Sequence, residues 1–414
     1  MQMHSLLLLL SAVYLTYMLD YMIMPALTQA FVRAFDSSTR ELGTLVSAYS
    51  LSASVFGILG AFYLDRFNRK HALLLLYGGF ALSLLLCALA PSATSLIVAR
   101  VIAGAFGGLM VATVFSIIGD EIAPEHQGVA FGTVLSSFAI ASVVGVPLGL
   151  FLAEKFSWNA IFYFNALLSF LVWIALLFGL PSMQSHLLVE TSRKFSSQAK
   201  AILTSRSNFS AFLVTALIAT ASYAVIPFIN PFLATNRGLS DSEIRLLYIV
   251  GGCFTFLVSY PTGWLSDHFG KWTLFFGISL LLVPLTLLFT TMPTSSFVLM
   301  LFIFVLFMSL SRARRIPALA LITSSVPPTV RAGFMSVNAS FEQLFSGLAA
   351  SLASLLVVRL PNGELDGFLW AGILSASVAV FAAVFLRFVK PLSETFTPSS
   401  VLSVDSSFAR NNSS

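Results

Sequence analysis

The chain alternates between long apolar runs and short polar breaks, and the runs have the length of membrane spans. A helix that crosses the hydrocarbon core of a bilayer needs about 20 apolar residues. Runs of that kind, set apart by polar or Gly/Pro breaks, fall near 5–27, 41–64, 72–90, 95–118, 129–153, 159–180, 208–235, 243–266, 272–291, 297–324, 332–358 and 366–389. Twelve transmembrane helices are therefore predicted. The longest polar interruption, 181–208, lies between the sixth and seventh runs and divides the chain six plus six. The expected organisation is an N-terminal six-helix bundle over 1–180, a cytoplasmic linker over 181–207, a C-terminal six-helix bundle over 208–390 and a Ser-rich, disordered cytoplasmic tail over 391–414. The first run looks like a signal peptide for about a dozen residues. It lacks a basic leader and a small-residue cleavage site and stays apolar past Asp20 to Ala26, so it reads as a retained span.

Composition agrees with a polytopic membrane protein. Of 414 residues, 57% are hydrophobic and 9% charged, with a mean hydropathy of +0.92. Soluble domains carry about 25% charged residues. The forty phenylalanines fit either an aromatic cavity or a simple compositional bias. Cys87 and Cys253 both sit in apolar runs and read as small core residues. No basic tract could grip nucleic acid, and no G-x-x-x-x-G-K-[ST] loop offers an ATP-driven engine. No H-E-x-x-H or paired-cysteine pattern is present, and the five histidines fall at termini or in loops. Neither a metal, a cofactor nor an enzymatic activity is expected.

Charge placement sets the expected orientation. With the N-terminus inside, the cytoplasmic segments hold twelve Lys and Arg residues and the opposite segments six. The positive-inside rule then puts both termini in the cytoplasm.

The two halves repeat. "STRE" (38–41) opens the second run and "SDSE" (240–243) the eighth, each a capping box with Ser at the cap and Glu three residues on. Asp65 and Asp267 follow those runs at the same offset of 202 residues. "APEHQGVAFG" (123–132) aligns with "PPTVRAGFMS" (327–336). A constant spacing between landmarks indicates two related bundles.

Several stretches resemble the major facilitator superfamily, over nearly the full length of the chain. The loop after the second run, "AFYLDRFNRK" (61–70), matches that family's G-x-L-x-D-R-x-G-R-K pattern through Asp65, Arg66, Arg69 and Lys70, with Ala61 and Asn68 where Gly is usual. Its second copy, "GWLSDHFGKW" (263–272), keeps Asp267 and Lys271. Arg100 and Gly104 resemble the family's Arg-x-x-x-Gly in the fourth span. Gly145, Pro147 and Gly149 in "ASVVGVPLG" (141–149) resemble the Gly- and Pro-rich stretch common in its antiporters. "RIPALALITSSV" and "FMSVNASFEQL" look closest to arabinose-efflux-like bacterial permeases, beside the drug/proton antiporters. The resemblance implies a twelve-helix fold of two pseudo-symmetric bundles, in a bacterial inner membrane, that carries a small solute by alternating access. The acidic and basic residues at the helix ends can form a charge-assisted latch between neighbouring ends, or serve simply as positive-inside anchors.

Charges inside the membrane are costly and usually face a bundle interior or a wet cavity. Asp20 lies roughly 10 Å in from the outer end of the first run, and Arg100 roughly 8 Å in from the outer start of the fourth. In the resembling family both spans line the N-terminal half of the cavity, so an Asp20–Arg100 pair is expected. Beside Arg100 the carboxylate stays ionised; separated and desolvated, it favours the protonated form. Such a pair is a candidate proton switch, or else a static clamp on helix packing. Arg314 and Glu342 lie at equal depth, roughly 15 Å from the cytoplasmic ends of adjacent runs. Glu342 is a further proton-coupling candidate. Arg314 is expected to face the cavity, because it occupies the position of an Arg in the resembling permeases. Arg315 or Arg312 would pair with Glu342 or reach toward the headgroups. The alternative puts all three arginines at the cytoplasmic interface.

Pro317 loosens the tenth helix nearby, and Pro227 and Pro231 interrupt the seventh. Tyr223 and Asn230, seven residues apart and so nearly on one helical face, are candidate substrate contacts with Arg314 and Arg315; Tyr223 fits core packing equally well. The reading is a monomeric secondary transporter, with protons as coupling ion and a drug, sugar or metabolite as solute. Efflux is favoured over uptake by symport. A membrane-bound receptor or enzyme would call for a soluble domain or a clustered catalytic set.

Overall fold

The computed structural model describes residues 3–36, 38–63, 67–123, 126–181, 183, 206–292, 296–326 and 331–389. Among the described residues, twelve long helical segments account for the architecture. The N-terminal set is α1 (Met3–Ala26), α2 (Thr39–Tyr63), α3 (Arg69–Ala88), α4 (Ala93–Glu121), α5 (Gln127–Ile140, a π-helical turn Ala141–Gly145, then Val146–Lys155) and α6 (Ala160–Gly179). The C-terminal set is α7 (Arg206–Tyr223, continued irregularly to Asn236), α8 (Asp241–Phe269), α9 (Lys271–Thr290), α10 (Phe297–Ala313 and Arg315–Ser324), α11 (Arg331–Leu356) and α12 (Phe368–Phe385). Helices are the only open element whose backbone satisfies itself in lipid, which is why the apolar runs fold this way. The two sets form a twelve-helix, two-bundle membrane fold.

Eleven of these segments are long and apolar enough to cross a bilayer. The remaining one, α11, is diluted by Asn338, Glu342 and Gln343. It packs on α2, α4 and α7, between the two bundles. Its polar residues therefore face protein and cavity instead of lipid. Small residues let α2 and α11 touch along their length: a Cβ on Gly43 would lie 2.4 Å from Ser354 Cβ, and one on Gly57 2.6 Å from Ser340 Oγ.

The sequence repeat reappears as geometry. Ser38 N donates to Glu41 Oε2 at 2.8 Å and Glu41 N to Ser38 Oγ at 3.3 Å. Ser240 and Glu243 repeat both bonds at 2.8 and 3.3 Å at the head of α8. These caps mark one face of the protein, here the far face. The face carrying the N-terminus is the near face.

Two features of the far face depart from expectation. The first connection is itself a short helix, Thr28–Phe35, ended by Asp36 in the left-handed region at φ 49°. The connection after α11 is a hairpin in which Val358–Arg359 pairs antiparallel with Leu365–Asp366. Most of the linker expected over 181–207, and the whole tail over 391–414, lie outside the described residues.

Candidate functional site

A chamber of about 290 Å³ lies between the two bundles. Tyr14, Tyr17 and Tyr21 of α1, Phe115 of α4 and Phe138 of α5 form its N-terminal wall. Arg312 and Arg315 of α10 with Asn338, Glu342 and Gln343 of α11 form the opposite wall. These positions place it between the middle of the helices and the near face. Gln343 Nε2 donates to Tyr17 Oη at 2.7 Å, tying the two walls together.

The chamber's charges come from a break in α10. The helix ends at Ala313 and restarts at Arg315, with Arg314 in the turn. Pro317, which has no N–H to give to residue 313, stands in the first turn of the second piece. Arg315 Nη2 bonds Glu342 Oε1 across to α11. The Arg312 guanidinium lies 4.6 Å from the Phe138 ring centroid, and no carboxylate among the described residues pairs with it.

The expectation for Arg314 needs correction. It does not line this chamber. It is 3% exposed, lines a smaller cavity behind it, and reaches Ser222 Oγ at 3.4 Å. Arg314 keeps helical backbone angles (φ −59°, ψ −24°), so Arg312 and Arg315, three residues apart, share the chamber side and Arg314 points away from it. The resemblance chose the wrong side of the helix, and the cation it left to pair with Glu342 or reach for headgroups, Arg312, is on the chamber wall.

Asn230 is also displaced. Its side chain donates to the carbonyl of Ala26, on the far-face side of the chamber. Between Tyr223 and Asn230 the helix gives way to a turn and a 3-10 stretch, Ile226–Phe228, containing Pro227. A π-helical turn follows at Phe232–Asn236, directly after Pro231. The seven-residue spacing therefore does not keep the two residues on one face. Tyr223 packs behind Tyr21, ring centroids 5.7 Å apart, and does not line the chamber wall.

Asp20 and Arg100 meet. Arg100 Nη1 donates to Asp20 Oδ1 at 2.7 Å and to Oδ2 at 2.8 Å. The pair lines none of the cavities described and is closed over: the side chains are 0% and 1% exposed, and the guanidinium lies 4.3 Å from the Tyr49 ring centroid. The expectation that this pair borders the cavity is thus corrected for this conformation. A close approach of α4 to α2 seats Arg100 against Tyr49, since a Cβ on Gly104 would stand 2.3 Å from Tyr49 O. Gly145 and Gly149 do the same for α5 against α1, where added Cβ atoms would meet Leu19 at 2.5 Å and Ile23 at 2.2 Å. Pro147 stands in the first turn after the π-helical turn, and π-helical turns and prolines are the usual sites of helix bends.

At the near face, Arg69 Nε donates to Asp120 Oδ2 at 2.8 Å, and Lys70 caps the carbonyl of Leu180 at the end of α6. Asp120 is a partner the motif did not name. Asp65 and Arg66 lie outside the described residues, as does the side chain of Asp267; Lys271 opens α9.

The far face is closed by contacts between the halves. Arg33 pairs with Asp241, Arg245 with Glu154, and Arg359 Nη1 with Asp36 Oδ1 at 3.0 Å. Asn236 takes part from inside the C-terminal half, bonding Leu365 N and O at 2.9 Å each and holding the hairpin that carries Arg359.

Two helical bundles around a chamber, with ion pairs bridging the halves at the far face, have the architecture of a multi-pass membrane carrier. The chain belongs to the major facilitator superfamily: residues 9–210 and 211–408 each match the family model described as Major Facilitator Superfamily. It is a secondary transporter of that superfamily. It is 24% identical over 348 residues to the MFS-type transporter YbcL of Bacillus subtilis (strain 168), covering 84% of this chain and 85% of the relative. It is 28% identical over 262 residues to the inner membrane transport protein YdhP of Escherichia coli (strain K12), covering 62% of this chain and 65% of the relative. Among solved structures, a D-xylose-proton symporter matches at TM-score 0.75 and 15% identity, covering 96% of this chain and all of that one (100%). A bacterial homolog of the human lysosomal transporter Spinster, inward-facing and occupied, matches at TM-score 0.71 and 19% identity, covering 94% and 96%. At such identities the structural likeness speaks for the fold alone.

Proposed function

We propose that the protein exports a small organic solute bearing an anionic group, by proton-coupled alternating access, as a monomer in a bacterial inner membrane. The single observation that carries the solute class is Arg312: a cation on the chamber wall with no carboxylate partner among the described residues, facing tyrosines and phenylalanines. With Arg315 held by Glu342, the wall keeps one uncompensated positive charge. A solute carboxylate on that guanidinium and a ring or chain among the aromatics would satisfy both walls.

In this reading the near face is cytoplasmic, as the Lys and Arg placement suggests. The described state is then open or poised toward the cytoplasm, and the far-face ion pairs are the closed outer gate. The bundles delimited by 1–180 and 208–390 rock about the chamber. Asp20 exchanges its proton when movement of α1 against α4 parts it from Arg100, and Glu342 plays the matching part with Arg315. Asp65, Arg66, Arg69 and Lys70, with Asp267 and Lys271, act as the near-face latch of the opposite state. Uptake by proton symport uses the same parts and remains the alternative reading.

The test is flux in proteoliposomes with an imposed pH gradient, using a panel of organic anions matched with neutral analogues. Gradient-dependent movement of anions, abolished by a protonophore, is expected. Equal transport of the neutral analogues would remove the anionic class, and flux indifferent to the gradient would remove proton coupling.

A further inference from the structure

Arg314 presents a separate problem from the chamber. It sits mid-protein in the turn of α10, 3% exposed. Its guanidinium reaches Ser222 Oγ at 3.4 Å, and its Nε is buried without a partner. Ser222 gives its own proton to the carbonyl of Ile218 at 2.9 Å, so it meets Arg314 as an acceptor only. One neutral hydroxyl at long range does not balance a guanidinium in a dry interior, where an uncompensated charge is strongly unfavourable.

No protein carboxylate among the described residues supplies the missing charge. The two mid-membrane carboxylates are committed elsewhere, Asp20 to Arg100 and Glu342 to Arg315. Arg314 lines a cavity of about 60 Å³ that also touches the Arg312 side chain and the hydroxyl-bearing Ser311. A cavity needs roughly 10–15 Å³ to hold one water, so this one has room for about four to six waters, or a small ion and a few of them. Its lining mixes Ser142, Ser222, Thr286 and Ser375 with the apolar Met22, Leu282 and Phe307, and its volume is about a fifth of the chamber's, which favours a small ion over an organic solute.

We propose that this cavity is a binding site for a small monovalent inorganic anion of chloride size, held between Arg314 and Arg312 as a resident counterion. The anion neutralises Arg314 permanently and shares Arg312 with the chamber. The site shares Arg312 with the solute reading but does not depend on it: Arg314 needs a counterion whether or not the transported solute is anionic.

The test needs no transport. The full-length protein is purified in detergent at fixed ionic strength, with chloride exchanged stepwise for gluconate. The melting temperature is expected to rise by roughly 2 °C or more as chloride enters the millimolar range. Bromide and nitrate should substitute for chloride; gluconate and benzoate, too large for the cavity, should not. Arg314→Met removes the orphaned charge, so its melting temperature should be independent of chloride and higher than wild type in gluconate. If that variant does not fold, chloride-NMR line broadening by the wild-type protein, competed by bromide and not by gluconate, reads the same site directly. An anion-independent wild type, an Arg314→Met variant with the wild-type chloride response, or equal stabilisation by benzoate would each overturn the assignment. The last result would give the cavity to the anionic end of an organic solute instead.

Discussion

Arg100 of α4 grips both carboxylate oxygens of Asp20 on α1 with a single terminal nitrogen, at 2.7 and 2.8 Å, in a pocket closed to solvent. Removing one partner of a buried pair costs about 3–5 kcal/mol, much of it the orphaned charge. Asp20→Asn keeps one acceptor oxygen and removes the titratable group. The expected result is a protein still inserted in the membrane, with a lower melting temperature, whose gradient-driven flux falls at least tenfold while downhill exchange persists. Flux measured in proteoliposomes with and without the pH gradient checks this, and an unchanged gradient response would take Asp20 out of the coupling.

Arg315 and Glu342 should behave as a unit. Either Arg315→Gln or Glu342→Gln alone leaves a charge on the chamber wall unpaired, so each single change should lower thermal stability. The double variant should recover most of the loss, with a coupling energy of about 0.5–3 kcal/mol in a double-mutant cycle. Additive losses would mean that the two side chains do not interact in the membrane.

Arg312 has a different signature. Arg312→Gln should lower the melting temperature by no more than its chloride-dependent part and raise the solute concentration for half-maximal transport by about tenfold or more, equivalent to the loss of one charge-assisted hydrogen bond of about 1.5–3 kcal/mol. Arg312→Lys should recover the effect only partly, because an ammonium lacks the planar fork. A variant with normal affinity would return the anchoring role to another group.

Two glycines give opposite signs for the same change. An alanine at Gly104 drives its Cβ to 2.3 Å from Tyr49 O, so Gly104→Ala should destabilise by about 1–3 kcal/mol and loosen the Asp20–Arg100 site. Gly132, inside the first part of α5, has nothing within 4 Å of an added Cβ. Gly132→Ala should be neutral or stabilising by about 0.5–1 kcal/mol through helix propensity. Thermal melts of the two variants compare them directly.

These sites were not equally legible in the sequence. Apolar length places eleven of the twelve helices plainly, and the depth of Asp20 and Arg100, with the resemblance that puts both spans on one cavity, is enough to pair them. Asn230 is misplaced by helical spacing because the chain breaks register between Pro227 and Pro231, and Arg314 because the resemblance, not the helix, set its side. Helix α11 is counted from the run 332–358, although its polar residues leave it short of the apolar content of the other eleven. The ion pairs between halves, such as Arg245 with Glu154, join residues whose proximity is set only by how the bundles dock. No local pattern announces them.

Those far-face pairs predict a graded gate. Each partly exposed pair contributes about 0.2–1 kcal/mol, so one loss shifts the equilibrium no more than about fivefold. Removing Asp36, Glu154 and Asp241 together, as Asn, Gln and Asn, should shift it by tens of times toward opening of that face, and high salt should partly imitate the change. Restoring Glu154 alone should reverse part of the shift. Labelling of a single cysteine below the gate, read from the far side, follows it.

The central claim is that one chamber between the bundles is reached from each face in turn. The most direct measurement places a single cysteine at Val143, on the chamber wall, in a background without Cys87 and Cys253. An impermeant thiol reagent is then applied to either side of sealed vesicles, with and without a pH gradient. The account predicts labelling from the near side at rest, labelling from the far side once the gradient drives turnover, and protection by a transported solute in both. Labelling from neither face under any condition, or from both at once without a gradient, would contradict it.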